Sequence, residues 1–345
     1  MSITIKEIAT LAGVSRGSVD RVLHNRGNVS PEIKAKIEKV LEEINYKPNI
    51  SASLLARNNT YKILIIIPKA ENDSYWKLPA QGIKEAAKLV SHYPIKLDWL
   101  LFNNESEISF KNSLRKALDQ NPDAILLAPV LKKEAQVFIQ EVKQREIPIV
   151  TINTQLGEGS TVPFVGQNSM QSGIIAGRLF ELLKPGIKNI LITNLGNNTQ
   201  NTEHVISKDA GLRFFFAKKG VNIQTIEIDN FDDTNQIKNA IQDKLDKTEG
   251  IFVTNSRSYK LVNAIRPELL NQDIKLIGYD LIPPNINLLK EGIIAFLLNQ
   301  NPKQQGLLAM NMLTQKLLYK QALPTVSHLP IDVVIKENCD YFYKE

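Results

Sequence analysis

Residues 4–23 read Thr4-Ile5-Lys6-Glu7-Ile8-Ala9-Thr10-Leu11-Ala12-Gly13-Val14-Ser15-Arg16-Gly17-Ser18-Val19-Asp20-Arg21-Val22-Leu23, and their pattern sets how the rest of the chain is read. Thr4 stands three positions before Glu7, so its hydroxyl can accept from the Glu7 backbone N–H while the Glu7 side chain reaches back. Ile5, Ile8, Ala9 and Ala12 then share one helical face. Gly13 supplies the positive φ that a helix end needs. Ser15 is placed to cap a second helix whose buried stripe is Val19, Val22 and Leu23. Ser30-Pro31 opens a third, with Ile33, Ile37, Val40, Leu41 and Ile44 on its apolar face. Two short helices, a tight turn and a bracing third predict a helix-turn-helix unit.

In such a unit the second helix enters the major groove, and Arg16, Gly17, Ser18 and Arg21 would be its exposed residues. Each Arg can fork onto guanine O6 and N7 or onto a phosphate. The alternative is a small three-helix domain whose surface arginines are merely solvated.

Working outward, Thr4-Ile5-Lys6-Glu7-Ile8-Ala9, Ala12-Gly13-Val14-Ser15, Val19-x-Arg21-Val22-Leu23-x-Asn25, Val29-Ser30-Pro31 and Tyr46-Lys47-Pro48-Asn49 resemble the lactose-repressor family. The likeness runs from residue 3 to about residue 60. It implies a DNA-binding headpiece over residues 1–47, a hinge-helix linker over 48–60 and a two-lobed effector-binding and dimerisation domain over 61–345. It also implies that Thr4, Ser15, Asn25 and Asn28 join Arg16, Gly17, Ser18 and Arg21 at the DNA. By the same resemblance the linker forms a helix on DNA, pairs with its dimer mate across Ala52 and wedges Leu55 into the minor groove. A plain interdomain tether is the simpler reading of that linker. Gly17 stands where the family usually carries a base-reading side chain, and Asp20 where it carries a small polar one, so the operator sequence does not transfer.

At 345 residues the chain allows two or three domains and a sizeable core. Its formal charge is +6. Residues 1–60 carry nine Lys/Arg against six Asp/Glu, which puts half of that excess in roughly a sixth of the length, as a nucleic-acid footprint would. The single cysteine, Cys339, excludes an internal disulfide framework and suits a reducing compartment. No eighteen-residue apolar run spans a membrane, and Met1-Ser2-Ile3-Thr4-Ile5-Lys6 lacks the features of an export signal, so a cytoplasmic protein is expected.

From Tyr61 short apolar runs alternate with amphipathic helices. The expected order is strand Ile63–Pro68, helix Pro79–Ser91, strand Ile95–Leu101, helix Glu107–Gln120, strand Ala124–Ala128, helix Lys133–Arg145 and strand Ile147–Ile152. The rhythm resumes with strand Asn189–Leu195, a helix to Gly220, strand Asn222–Ile228, helix Thr234–Lys247 and strands Ile251–Thr254 and Ile274–Tyr279. This predicts an α/β region of two doubly wound parallel sheets, with a ligand beyond the carboxyl ends of the strands, in the cleft between lobes.

At those strand ends stand Tyr75-Trp76, Asn153-Thr154, Gln167-Asn168, Asn255-Ser256, Asp280 and Gln300. Polar groups that donate and accept, beside flat aromatic faces, suit the hydroxyls and C–H faces of a sugar. Each alone reads as an ordinary loop or cap residue; their shared placement points to a site. Asp123-Ala124-Ile125-Leu126-Leu127-Ala128-Pro129, Ile147-Pro148-Ile149-Val150-Thr151-Ile152, Phe164-Val165-Gly166-Gln167-Asn168, Gly278-Tyr279-Asp280 and Gln300-Asn301-Pro302 are similar to periplasmic sugar-binding proteins of the ribose/galactose type. That resemblance implies that Tyr75 and Trp76 stack on the sugar and that Asn168, Asn255, Asp280 and Gln300 bind its hydroxyls. It also implies three crossings between lobes, with Ile294–Gln300 returning to the first.

Asn153-Thr154 replaces an Asp-Arg pair of the ribose binders, Lys208 an Arg and Asn255-Ser256 an Asn-Asp. Asn153 and Lys208 complete the expected effector set. Lys cannot offer the flat fork of a guanidinium, so a larger or acidic sugar meeting Lys208 is the expectation, not ribose.

The four histidines, at 24, 92, 204 and 328, are scattered, and Gly157-x-Gly159 lacks the rest of a phosphate loop, so neither a metal, a cofactor nor catalysis is expected. The expected partners are an operator duplex, a small effector and a second copy of the chain, with no membrane. An activator, a non-sugar sensor and a sugar carrier without regulatory role are the competing readings. No leucine heptad follows residue 310, which argues against a tetramer built on a C-terminal coiled coil.

Overall fold

A computed structural model of the chain describes residues 3–23, 27–44, 46, 60–71, 73–157, 159–196 and 202–342. The chain divides into two compact units, residues 1–59 with 92–94 and the remainder from residue 60, which are taken one at a time. In the first, α1 (Ile5–Ala12), α2 (Arg16–Leu23) and α3 (Pro31–Glu43) close over Ile8, Ala9, Val19 and Ile37. The capping box at Thr4 and Glu7 forms as expected, with Thr4 N–H donating to the Glu7 carboxylate at 2.7 Å. Gly13 ends α1 at φ 63°, and Ser15 Oγ accepts from Ser18 N–H at 3.1 Å. Ser30 caps α3, with Pro31 in its first turn. The linker from residue 47 to 59, with Ala52 and Leu55, lies outside the described residues.

The second unit holds two lobes. The first begins with β1 (Tyr61–Pro68), a 3₁₀ turn (Ser74–Trp76), α4 (Lys77–Leu89), β2 (Ile95–Phe102) and α5 (Glu107–Asp119). It continues through β3 (Ala124–Leu127), α6 (Lys132–Gln144), β4 (Ile149–Ile152) and β5 (Phe164–Gly166). The second begins with α7 (Ser169–Leu183), β6 (Asn189–Leu195), α8 (Glu203–Phe216), β7 (Asn222–Ile228) and α9 (Thr234–Leu245). Then come β8 (Gly250–Val253), α10 (Ser258–Asn271), β9 (Lys275–Tyr279), α11 (Pro283–Lys290) and β10 (Phe296–Asn299). The chain returns with α12 (Pro302–Tyr319) and β11 (Val326–His328), then crosses again to β12 (Asp332–Val334) and α13 (Cys339–Phe342).

The sheets run β11-β5-β4-β3-β1-β2 and β12-β10-β9-β8-β6-β7, all pairs parallel except β10–β12. Both are covered on two faces, which is why their strands read as continuous apolar runs. Along β1, Ile63, Ile65 and Ile67 pack in the core that α4 and α12 cover, while Leu64 and Ile66 join the core of α5 and α6. Strand β6 divides its residues likewise: Leu191 and Leu195 to one core, Ile190 and Ile192 to the other. Each such side chain, taken fully out of water, contributes about 1.5–3 kcal/mol.

One helix pair in each lobe meets at backbone distance. A Cβ on Gly82 would overlap the carbonyl oxygen of Lys303, and one on Gly306 that of Pro79, so α4 and α12 approach only because both are glycine. Gly173 and Gly211 do the same for α7 and α8, where the facing carbonyls belong to Lys208 and Met170.

The three crossings occur at 167–168, 300–301 and 329–331. The expectation for Ile294–Gln300 is corrected: Phe296–Asn299 pairs with β9 and β12 inside the second sheet, and the return to the first lobe begins only at Asn301-Pro302. The apolar run continues the β9 neighbourhood, and Asn301 makes the turn at φ 52°. Gln167 ties the crossings together, its Nε2 donating to Asn299 O at 2.6 Å and Pro330 O at 2.7 Å. No helix among the described residues is long and apolar enough to cross a membrane.

Candidate functional site: the cleft between the lobes

Strand ends of both sheets meet across one cleft of about 730 Å³, counted with the solvent at its mouth. Residues following β1, β2, β3 and β4 line it from the first lobe, and residues following β6, β8, β9 and β10 from the second. Of the eight expected effector residues, Tyr75, Trp76, Asn153, Lys208, Asn255, Asp280 and Gln300 line this space. Asn168 does not. It is exposed and caps α7, its Oδ1 accepting from Gln171 N–H at 2.9 Å. A polar residue after a strand serves equally as the cap of the next helix, and at Asn168 the cap is what the position supplies.

In the first lobe Tyr75 and Trp76 are buried edge to face, ring centroids 5.1 Å apart. Asn153 takes φ 70° and donates from Nδ2 to the Tyr75 hydroxyl at 2.8 Å. Burial, and secondarily the Asp280 charge, push the Tyr75 phenol well above its ordinary pKa, so it stays a neutral hydroxyl.

In the second lobe Lys208 is 1% exposed. Its ammonium donates to Thr254 O at 2.9 Å and Gln300 Oε1 at 3.3 Å, and sits 3.6 Å from the centroid of the Tyr279 ring. Gln300 Nε2 in turn donates to both Asp280 oxygens, at 2.9 and 3.1 Å. Burial pulls the Lys208 amine down to about 7 against the opposing Asp280 charge, and burial pushes the Asp280 carboxyl up to about 7 against Lys208. Asn285, fully buried, donates to Ser256 O at 2.8 Å and Tyr279 O at 3.0 Å, so it fixes the two loops that carry Asn255, Ser256 and Asp280.

Several lining residues escaped the sequence reading. Asn104 and Glu105 lie two and three residues past the end of β2, and Arg257 directly follows Asn255-Ser256, so the strand-end rule reaches all three when applied without exception. His204 stands one helical turn before Lys208 on α8, and Asp73 caps the turn that carries Tyr75. Arg257, 7% exposed, donates to Leu195 O at 2.6 Å, is ion-paired with Glu105, and lies 3.6 Å from Asp73. Its guanidinium lies over Phe231, 4.0 Å from the ring centroid. Thr154 Oγ1 and His204 Nδ1, one from each lobe, are 3.0 Å apart, and Lys132 pairs with Glu203 across the lobes at 2.7 Å. Burial first, and the Lys208 charge second, hold His204 well below the ordinary imidazole value, so the ring is neutral. No group of three or more His, Cys, Asp or Glu among the described residues could hold a metal ion.

In the helical unit, Arg16, Gly17 and Arg21 are exposed on α2, and Ser18 is half-buried. Ser15 is exposed, its hydroxyl 3.0 Å from that of Ser18. Thr4 is exposed with its hydroxyl and amide engaged by Glu7, and Asn28 is exposed at φ 65°. Asn25 falls outside the described residues.

Comparison with known proteins agrees with both units. Residues 63–321 match the periplasmic binding protein domain, and residues 4–49 match bacterial regulatory proteins of the lacI family. The HTH-type transcriptional regulator MalR of Streptococcus pneumoniae is 26% identical over 196 residues, which cover 55% of this chain and 56% of that one. This chain thus spans little more than half the length of that relative. Catabolite control protein A of Priestia megaterium is 26% identical over 287 residues, 81% of this chain and 83% of its own. A solved structure from Bacteroides fragilis, assigned as a LacI transcriptional regulator, superposes with a TM-score of 0.75 at 26% identity, covering 83% of this chain and 100% of that one. The chain therefore belongs to the periplasmic binding protein domain family over residues 63–321 and carries a helix-turn-helix segment of the lacI family of bacterial regulatory proteins over residues 4–49.

Proposed function

We propose that the chain is a sequence-specific DNA-binding repressor whose hold on its operator is loosened by a sugar bound between the lobes. The observation that carries this reading is the presence, on one polypeptide, of a capped helix-turn-helix unit with exposed Arg16 and Arg21 and a two-lobed cleft lined by polar and aromatic side chains. Two copies would set their α2 helices into half-sites about one helical turn apart. Arg16 and Arg21 would read guanine edges or hold phosphates, the latter making affinity fall as salt rises. In the cleft the rings of Tyr75 and Trp76 offer faces to a sugar's C–H groups, while Asn153, Asn255, Asp280 and Gln300 offer donors and acceptors to its hydroxyls. Two of the three Lys208 N–H donors engage Thr254 O and Gln300 Oε1, so its charge also reaches the cleft through Gln300 and Asp280. The protein works by binding in the cytoplasm, with no turnover and no cofactor.

A thermal-shift panel of neutral and acidic sugars tests the cleft. A sugar that binds raises stability by about 2.7 kcal/mol at a hundred times its Kd. Asp280→Asn should lose that gain, and a panel with no stabilising sugar would contradict the proposal.

A further inference from the structure

The cleft has a second chamber. Asp73, Ser256 and Arg257 line both it and the space already described. It measures about 1230 Å³ with the solvent at its mouth, and Ser74 and Lys77 of the first lobe and Tyr259 of the second also line it.

Charge limits what this chamber can take. Lys260 is ion-paired with Asp232, and Arg257 is committed to Glu105 and Asp73. That leaves Lys77 and Glu71, one of each sign, so the described lining carries no excess charge. An entering phosphate or carboxylate would meet three carboxylates, Glu71, Asp73 and Asp232, as well as Lys77, Arg257 and Lys260, so the lining gives it no net attraction to offset leaving water. A neutral ring bearing hydroxyls needs no counter-charge, and the half-buried Tyr259 offers it an aromatic face.

Among the described bridges between the lobes, the two made by Asp73 at this partition are longer than those of Lys132 and Thr154. Ser256 Oγ stands 3.5 Å from Asp73 and Arg257 stands 3.6 Å from it, against 2.7 Å for Lys132–Glu203 and 3.0 Å for Thr154–His204. At 3.5 Å or more a hydrogen bond has lost most of its strength. Arg257 keeps Glu105 as a partner if Asp73 turns away.

We infer that the effector is a neutral sugar of disaccharide length, with one ring in the inner chamber, the second against Tyr259, and the linkage passing between Asp73 and Ser256. This rests on the sugar-binding reading of the inner chamber. Calorimetric titration of the full chain tests it with glucose, galactose, maltose, cellobiose, lactose, melibiose and trehalose, and with glucose 6-phosphate and glucuronate as charged probes. The expected result is one disaccharide bound at least about tenfold more tightly than either constituent, a gain of about 1.4 kcal/mol. Tyr259→Ala and the space-filling Ser74→Trp should each erase that excess and leave the constituent's affinity unchanged. Equal affinity for disaccharide and constituent overturns the inference, as does a charged probe that outbinds every neutral disaccharide. An excess that survives both variants overturns the assignment to the outer chamber. If no sugar of either length binds, the sugar reading itself falls, and this inference with it.

Discussion

Asn153 follows β4 in the first lobe and Asp280 follows β9 in the second; both adopt left-handed backbone, φ 70° and 67°, and both line the cleft. Asn and Asp are the side chains that tolerate this conformation most readily after glycine. Each lobe also locks one helix pair through facing glycines. What differs is the charge placed on this common plan. The first lobe presents a neutral phenol, an indole and an amide, with its carboxylates Asp73 and Glu105 only partly buried. The second buries Lys208, Asp280 and Arg257 almost completely. Repetition of the backbone reflects packing; its unequal decoration shows where recognition is built.

The largest consequence is energetic. Lys208→Met removes the cation that opposes the buried Asp280 carboxyl, which then holds its proton more firmly, and should cost about 1–3 kcal/mol in urea unfolding at neutral pH. The double variant Lys208→Met/Asp280→Asn should recover most of that loss. On the first lobe Asn153→Ala gives up a hydrogen bond and a favoured left-handed residue, for about 1–2 kcal/mol. Equal costs for Lys208→Met and Asn153→Ala would remove the asymmetry.

The glycine pairs should behave alike in both lobes. Gly82→Ala and Gly173→Ala each force apart helices whose backbones touch, and each should cost about 1–3 kcal/mol. Gly173→Ala should in addition weaken sugar binding, because the carbonyl it meets belongs to Lys208.

Acidity separates the lobes as well. The Asp280 carboxyl is raised in the folded state, so the stability it contributes is present at acid pH and lost as pH rises to about 7. The Lys208 amine is lowered, so the folded state regains stability as pH rises from about 7 toward the ordinary amine value. Melting curves of the wild type should therefore show a shallow dip near neutrality that the double variant lacks.

The smallest effect lies outside both lobes. A Cβ on Gly17 would meet only Ser15 Oγ at 3.7 Å, so Gly17→Ala should stabilise the helical unit by about 0.5–1 kcal/mol. Destabilisation on melting would mean that α2 needs a glycine there.

What could be read in advance follows the same division. The caps at Thr4, Ser15 and Ser30 and the alternating runs of β1 and β6 are local signals, and they placed both units and both sheets. Seven cleft residues were found because strand ends share one location in such sheets. Asn168 lies outside the cleft lining, where the same residue type caps a helix, and β10 was assigned to the wrong lobe because a strand's sheet depends on distant partners. Arg257, Glu105 and His204 form bridges across 50 to 152 residues of sequence, or to a partner on another lobe, and no local pattern marks such pairings.

The most direct test is titration of the full-length protein into duplex tiles from the region flanking its own coding sequence, at low ionic strength, with and without the sugar that most stabilises it. The proposal predicts one tile bound about a thousandfold or more tightly than the rest, in a salt-dependent manner, and weakened about five- to a hundredfold by that sugar. Equal binding to every tile, or a preferred tile whose affinity is untouched by a sugar that demonstrably occupies the cleft, would contradict it.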